Sequence, residues 1–200
     1  MLPASPMTAT ILKETEPLIL VDGLTWREFK AVEQLLDRPG VRLSFLAGVL
    51  EIRKMPGKKH ETIKERIGAL LEAYMEFIGL DFTPTGSMTL DQVGLVKREA
   101  DKSYELGQDK ERPDLAIEVV FSSGGIDKLE AYKLLQISEV WFWQNGDLSL
   151  YVLRSNKYLE VSQSSVLPAL DITLLTRCIN TTSHAQALRE FRQALQGASS

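Results

Sequence analysis

The clearest pattern in the chain is a helical spacing of apolar residues in its first half. In residues 58–79, apolar side chains recur at steps of three and four up to Phe77 and Ile78, and charged side chains occupy the other face. This spacing predicts one long amphipathic helix that packs across a sheet. Residues 184–197 have a similar spacing, which predicts a second helix near the C-terminus.

Strands are predicted on both sides of the long helix. Residues 41–55 alternate roughly between apolar and polar side chains around Ala47 and Gly48, which predicts a β-hairpin. Residues 114–121 form an almost continuous apolar run, as is typical of a strand buried on both faces. Residues 139–161 contain three further strand patterns separated by tight turns.

The order of these elements predicts the fold class. A hairpin, a long helix, several strands, a short helix at residues 127–136 and a final meander follow one another along the chain. This order predicts an α/β protein of the α+β kind, in which a mixed sheet is flanked by helices.

Length and composition limit the organisation of the chain. Its 200 residues suit one compact domain. We expect a flexible arm at residues 1–18, one domain at residues 19–180, and a C-terminal helix and tail at residues 181–200. No apolar run reaches the roughly 18 residues that a membrane span needs. Because a secretory signal pattern is also absent, we expect a cytoplasmic protein that does not bind membranes.

The charge balance excludes a surface that is basic throughout. The chain carries 23 Lys and Arg against 27 Asp and Glu, a net charge of -4, so only a local basic patch is compatible with nucleic-acid binding. Its single cysteine, Cys178, cannot form an intramolecular disulfide.

Glu118 is the residue that points most directly to chemistry, because it is the single charge in the apolar run of residues 115–121. A buried carboxylate costs several kcal/mol unless it is neutralised, hydrogen-bonded or bound to a metal. No cation adjoins Glu118 on its side of the strand, so its partner must come from elsewhere in the fold. A structural pairing with a distant Lys or Arg and a functional site are the two explanations.

Asp101 and Lys128 complete a candidate catalytic set with Glu118. Asp101 lies where an extended segment enters the sheet, and Lys128 lies in the first turn of the helix that follows the Glu118 strand. Considered alone, each is most simply a solvated side chain. Together, the two carboxylates would bind Mg²⁺ (or Mn²⁺), and the lysine would stabilise charge while water attacks a phosphate.

Glu51 and His60 are further candidates for the same site. Glu51 lies on the second hairpin strand and would supply another ligand for the metal or a water, unless it points outward to solvent. His60 begins the long helix, where a surface histidine is the simpler interpretation. Since the chain has only one other histidine and one cysteine, these residues do not favour a zinc site.

The densest basic cluster lies between Glu51 and His60 and consists of Arg53, Lys54, Lys58 and Lys59. If this cluster flanks the site, it would bind nucleic-acid phosphates. The alternative is a solvated loop.

Trp141 and Trp143 lie two residues apart and therefore share one face of a strand. This spacing predicts core packing or a contact in a homodimer rather than base stacking.

Motifs of several other enzyme classes are absent from the sequence. It contains no G-x-S-x-G, no phosphate-binding G-x-x-x-x-G-K-S/T, no G-x-G-x-x-G and no H-E-x-x-H. The sequence therefore contains none of the motifs that would support its assignment as a serine hydrolase, a P-loop ATPase, a Rossmann oxidoreductase or a zincin.

Several short motifs occur in an order that resembles a known family. They are LTWREF, RLSFLAGVLEI, a helix headed by histidine, EADKSY, PDLAIEV, DKLEAYKLLQISEVWFW and LPALDITLL. Over about residues 24–180 this succession resembles the Uma-type restriction endonucleases, a bacterial family of the PD-(D/E)XK nuclease superfamily. The resemblance implies a restriction endonuclease-like core and metal-dependent hydrolysis of DNA phosphodiester bonds.

The resemblance also implies roles for three residues. The family's metal-binding aspartate falls on Asp101, its strand glutamate on Glu118 and its lysine on Lys128. Val120 stands where the wider superfamily has a lysine on the strand, which implies that the lysine has moved to the helix.

Three departures from the family pattern support an alternative. Ala100 replaces the proline before the metal-binding aspartate, SSGG at residues 122–125 replaces a loop usually richer in Ser, Thr and Pro, and Ser44 stands where many relatives have a glutamate. The alternative is a catalytically inactive module that keeps the nuclease fold and binds DNA or a protein partner.

Overall fold

The computed structural model describes residues 18–36, 38–107, 110–121 and 125–198, which form eleven strands and five helices. The strands are β1 (Leu18–Val21), β2 (Val41–Leu46), β3 (Val49–Lys54), β4 (Phe82–Pro84), β5 (Thr89–Gln92), β6 (Val96–Glu99), β7 (Lys102–Leu106), β8 (Leu115–Val120), β9 (Glu139–Gln144), β10 (Asp147–Arg154) and β11 (Lys157–Val161). The helices are α1 (Trp26–Leu36), α2 (Lys58–Phe77), α3 (Lys128–Leu134), α4 (Ile172–Ile179) and α5 (His184–Ala198).

The strands form two sheets, whereas the pattern predicts one mixed sheet. The larger sheet has the order β11-β10-β9-β8-β7-β4 and is parallel only between β8 and β9. The second sheet, of order β1-β3-β2-β6-β5, is entirely antiparallel. The predicted α+β class is confirmed. Periodicity identifies strands but not their partners, so it does not divide them between sheets.

Two turns show why the predicted hairpins form. Ala47 and Gly48 join β2 to β3 with φ values of 45° and 97°, and Asn145 and Gly146 join β9 to β10 with φ values of 54° and 96°. Two successive residues with positive φ match the twist of antiparallel strands, and Asn-Gly adopts this conformation readily. The predicted hairpin and the start of the meander are therefore confirmed.

The main core lies between the larger sheet and α2, α4 and α5. It includes Ile67 and Leu71 of α2, and Ile117 of β8, all fully buried. Trp141 and Trp143 belong to the same core, with 0% and 5% of their surface exposed, so they pack inside the domain and offer no dimer contact. None of the described helices is both long and apolar enough to cross a membrane.

The ends of two predicted segments differ from expectation. Phe77 and Ile78 continue the apolar spacing of α2, but they are 44% and 46% exposed, because the helix ends here and its last turn is not covered. The arm predicted for residues 1–18 lies outside the described residues, apart from Leu18, which begins β1.

Arg66 connects α2 to the end of α4. Its buried guanidinium donates hydrogen bonds to the carbonyl oxygens of Ile179 at 2.8 Å and Thr182 at 3.2 Å, and also to that of Thr181. The last carbonyl groups of a helix have no partner within the helix. Arg66 therefore caps α4 and fixes it against α2.

We expect Arg66→Met to lower the free energy of unfolding by about 1–3 kcal/mol, since it leaves the buried carbonyl group of Ile179 unpaired. Urea denaturation followed by circular dichroism measures this loss. Arg192→Met, on the exposed side of α5, is the matched control and should stay within about 0.5 kcal/mol of the parent. Equal losses in both variants would contradict the capping role.

Candidate active site

A polar cleft lies where the two sheets meet. One side comes from the second sheet, through β2, β3 and β6, and the other from β8 and the residue that precedes β7. The cleft has a volume of about 40 Å³, which is room for about three water molecules. Its charged or titratable lining residues are Arg42, Glu51, Arg53, Lys54, His60, Arg98, Asp101, Glu118 and Lys128.

Glu118 is buried in the cleft and bonded to three side chains. Its Oε1 accepts hydrogen bonds from Arg98 Nη2 at 2.8 Å and Nε at 3.1 Å, and from the Tyr132 hydroxyl. Its Oε2 accepts a hydrogen bond from Lys128 Nζ at 2.7 Å. The distant partner that was predicted for the buried carboxylate of Glu118 is therefore Arg98, which lies on β6 of the other sheet.

Asp101 reaches the same cleft because of the strand register. β7 and β8 are antiparallel and pair Lys102 with Ile117, so the next position along brings Asp101 beside Glu118. The Oδ2 atom of Asp101 accepts a hydrogen bond from the backbone N–H of Val119 at 2.8 Å and lies 3.0 Å from His60 Nε2. Its Oδ1 accepts a hydrogen bond from Arg42 at 2.6 Å.

These contacts keep both carboxylates ionised. Burial alone would raise the pKa of Asp101, but His60 and Arg42 together with the Val119 N–H hold it well below its usual range. Burial likewise opposes ionisation of Glu118, and the charges of Arg98 and Lys128 lower its pKa in spite of it. A buried carboxylate is stable in its charged form only where cations and donors replace its water.

Glu51 is a third buried carboxylate in the cleft. It accepts hydrogen bonds from Arg53 Nε at 2.8 Å and from the backbone N–H of Ile126 at 2.9 Å. Glu51 is therefore buried, and the alternative that it points outward to solvent is wrong. Gly125 adopts a φ of +100° beside this pair, and a Cβ at this position would overlap with Glu51 and Arg53.

The predicted basic cluster divides between the cleft and its rim. Arg53 and Lys54 line the cleft, whereas Lys58 and Lys59 are exposed at the start of α2. Lys59 Nζ lies 5.0 Å from the ring centre of Phe121, a cleft residue that is 38% exposed. His60 is buried rather than on the surface, and it is bonded to Asp101.

Sequence reasoning missed Arg42, Arg98 and Tyr132. Arg98 lies in the polar segment VKRE, where nothing local distinguishes it from an exposed arginine, and Arg42 occupies a similar place on β2. Tyr132 falls on the buried side of α3, four residues after Lys128. This i, i+4 spacing puts both residues on one helical face and was an available signal.

A family model described as "Putative restriction endonuclease", named Uma2, matches residues 26–184. The chain belongs to the Uma2 family. No match is found among curated proteins. Family membership confirms the predicted resemblance, and it also agrees with the mixed α+β architecture of two sheets and five helices among the described residues.

Whether the Uma2 site fits a divalent metal depends on its carboxylate oxygens. Asp101 and Glu118 offer the hard oxygen ligands that Mg²⁺ prefers. All four of their oxygens already accept hydrogen bonds or face His60, and no cluster of three or more His, Cys, Asp or Glu within the described ranges is arranged to hold an ion. The donor chemistry fits, with Lys128 and His60 as the side chains that an ion would replace.

Gly125 provides a test of how closely the Uma2 cleft is packed. We expect Gly125→Ala to destabilise the fold by about 1–3 kcal/mol more than Gly40→Ala, because only at residue 125 does the new methyl group meet buried side chains. Gly40 has a similar φ, +94°, with open space around it, so it carries the backbone cost alone. Urea denaturation of both variants measures the difference, and equal losses would show that the Glu51–Arg53 pair yields without cost.

Proposed function

We propose that this Uma2 protein is a metal-dependent endonuclease that hydrolyses DNA phosphodiester bonds. The observation that carries the proposal is the meeting of two buried carboxylates and one lysine in a single cleft, with Lys128 bonded to Glu118 at 2.7 Å. Two such carboxylates match the ligand requirement of Mg²⁺ or Mn²⁺. Membership of a family described as "Putative restriction endonuclease" supports DNA as the substrate.

In this proposal Asp101 and Glu118 hold the ion, and Glu51 remains a further ligand for the ion or its water. The bound metal would supply an activated water and neutralise charge on the phosphate. Lys128 leaves Glu118 Oε2 when the site is loaded and turns its ammonium group toward the phosphate. Lys128 is suited to this movement because its side chain is 20% exposed, whereas those of Arg98 and Glu118 are 5% and 2% exposed.

The charge of the cleft supports a phosphate-containing substrate. Its lining contains five Lys and Arg residues against three Asp and Glu residues, although the whole chain has a net charge of -4. Within the described part of the chain, Arg98 Nη1 is buried without a hydrogen-bond partner. An unpaired buried donor is costly, and a phosphate oxygen would satisfy it. Lys58 and Lys59 extend this positive region along the rim, and together with Lys54 they would contact the DNA backbone.

We expect Asp101→Asn and Glu118→Gln each to reduce cleavage of plasmid DNA at least 100-fold in the presence of Mg²⁺ or Mn²⁺, because each removes a ligand charge. Gel analysis of supercoiled plasmid over a range of salt concentrations measures this. Asp91→Asn, at an exposed position of β5, should cut at the parent rate. Circular dichroism measures whether each variant is folded, and only folded variants are compared. A folded parent that cuts no DNA with either metal would refute the proposal.

Lys128→Met separates the proposed role of the lysine from a structural one. Because Lys128 competes with the metal for Glu118, its removal should tighten Mn²⁺ binding several-fold while it lowers the cleavage rate at least tenfold. Isothermal titration calorimetry measures the first effect and plasmid cleavage the second. Lys133→Met, on the same helix and paired with Glu130, is the control. Weaker metal binding by Lys128→Met would contradict competition between the lysine and the ion.

The pairing of every carboxylate oxygen favours one second candidate, a non-catalytic module that uses the cleft to hold DNA. In that case Arg42, Arg98 and Lys128 alone neutralise the two carboxylates, and no metal ion binds. Titration with Mn²⁺ distinguishes the two functions. An endonuclease would show a heat of Mn²⁺ binding that is lost in Glu118→Gln. An inactive module would show no such heat.

A further inference from the structure

A second pocket lies directly beside the cleft and shares Lys128 with it. It has a volume of about 450 Å³, within the range of pockets that hold small molecules. Its walls come from β9, β10, the turn between them and the start of α3. The residues that shape it are Lys128, Phe142, Gln144, Asn145, Asp147 and Tyr151.

The strand register connects the floor of this pocket to Glu118. β8 and β9 are parallel and pair Glu118 with Phe142, and β9 pairs Phe142 with Ser149 of β10. Paired positions in a sheet present their side chains on the same face, and neighbouring strands lie about 4.8 Å apart. Phe142 and Ser149 therefore lie in one row with Glu118, about 5 and 10 Å along the sheet.

The chemistry of the pocket combines aromatic surface with hydrogen-bonding side chains. Phe142 and Tyr151 meet edge to face, with ring centres 5.7 Å apart and an interplanar angle of 76°. Gln144, Asn145 and Asp147 make no hydrogen bond through their side chains to any other residue in the described ranges, so their amide and carboxylate groups are available. Side-chain amides pair with the edges of bases, and aromatic rings stack on their faces.

The turn that carries these groups is held in a fixed position. Asn180, the C-cap residue of α4, donates a hydrogen bond from Nδ2 to the carbonyl oxygen of Gly146 at 2.6 Å and another to that of Thr176 at 3.0 Å. A rigid support of this kind lowers the entropy cost of ligand binding. The backbone that carries Gln144 and Asn145 is thereby fixed before a ligand arrives.

We propose that this pocket binds one unpaired DNA base, from a nucleotide close to the phosphate that the cleft is proposed to bind. A single concave pocket cannot reach a base that is stacked inside a duplex, so the base must be unpaired or turned out of the helix. The protein would then favour DNA with an unpaired nucleotide over a perfect duplex. This inference rests on the proposed function for the position of the phosphate, but it concerns binding and not cleavage.

Fluorescence anisotropy in EDTA tests the inference in the absence of cleavage. The probes are three dye-labelled DNA duplexes: one perfectly paired, one with a single bulged adenine, and one with an abasic site in the bulge. We expect about tenfold tighter binding of the adenine bulge than of the perfect duplex, in line with one base–aromatic contact, and no such gain for the abasic bulge.

Two variants identify the pocket as the source of this preference. Phe142→Leu and Gln144→Ala should each reduce the tenfold ratio to below threefold and leave the affinity for the perfect duplex unchanged. Phe82→Leu on β4 and Gln92→Ala on β5 are the matched controls and should keep the ratio. Gln144 is exposed, so its variant remains informative if Phe142→Leu does not fold.

The outcomes separate this inference from the endonuclease proposal. A ratio near one in the parent, or a ratio that neither pocket variant lowers, would overturn the base pocket even if plasmid DNA is cut. Loss of the ratio in either pocket variant, but not in the controls, would support it even if no DNA is cut.

Discussion

The ion pair between Arg98 and Glu118 is the interaction on which the rest of the structure depends. The two residues belong to different sheets, and both are almost fully buried. Removing one partner of such a pair leaves an uncompensated charge and costs about 3–5 kcal/mol. Because Tyr132 and Lys128 of α3 bind the same carboxylate, this single contact also positions the helix. The carboxylate of Glu118 therefore connects the two sheets, positions α3 and forms part of the candidate site.

The same charges set conflicting demands for stability and for chemistry. Arg42, Arg98 and Lys128 neutralise Asp101 and Glu118, and His60 is bonded to Asp101, which makes burial of the carboxylates tolerable. A site that binds an ion must give up some of these contacts. Lys128 is the least buried of the three Lys and Arg side chains that bind these carboxylates. The two arginines are therefore suited to hold the carboxylates in place, and the lysine is the one suited to move.

Much of the fold, but only part of the site, is predictable from the sequence. The helix α2, the β2–β3 hairpin and the buried strand β8 follow from periodicity, and the Asn-Gly turn follows from local conformational preference. Arg98 and Arg42 are not predictable in this way, because their role depends on contacts between distant segments. The helix α4 was also missed, although Asp171 accepts a hydrogen bond from the N–H of Leu174 as a typical N-cap. Its apolar sequence, ITLLTRCI, resembles a strand as much as a helix.

The long-range origin of the cleft affects when it exists during synthesis. Arg42 and Asp101 are 59 residues apart, and Glu51 is 75 residues from the N–H of Ile126 to which it is bonded. Contacts at such separations form after local ones, since they must first close long loops. A nascent chain that has not yet been extended to residue 118 contains neither Glu118 nor Lys128. A chain that ends before residue 118 therefore cannot form the cleft, because it lacks two of the residues that line it.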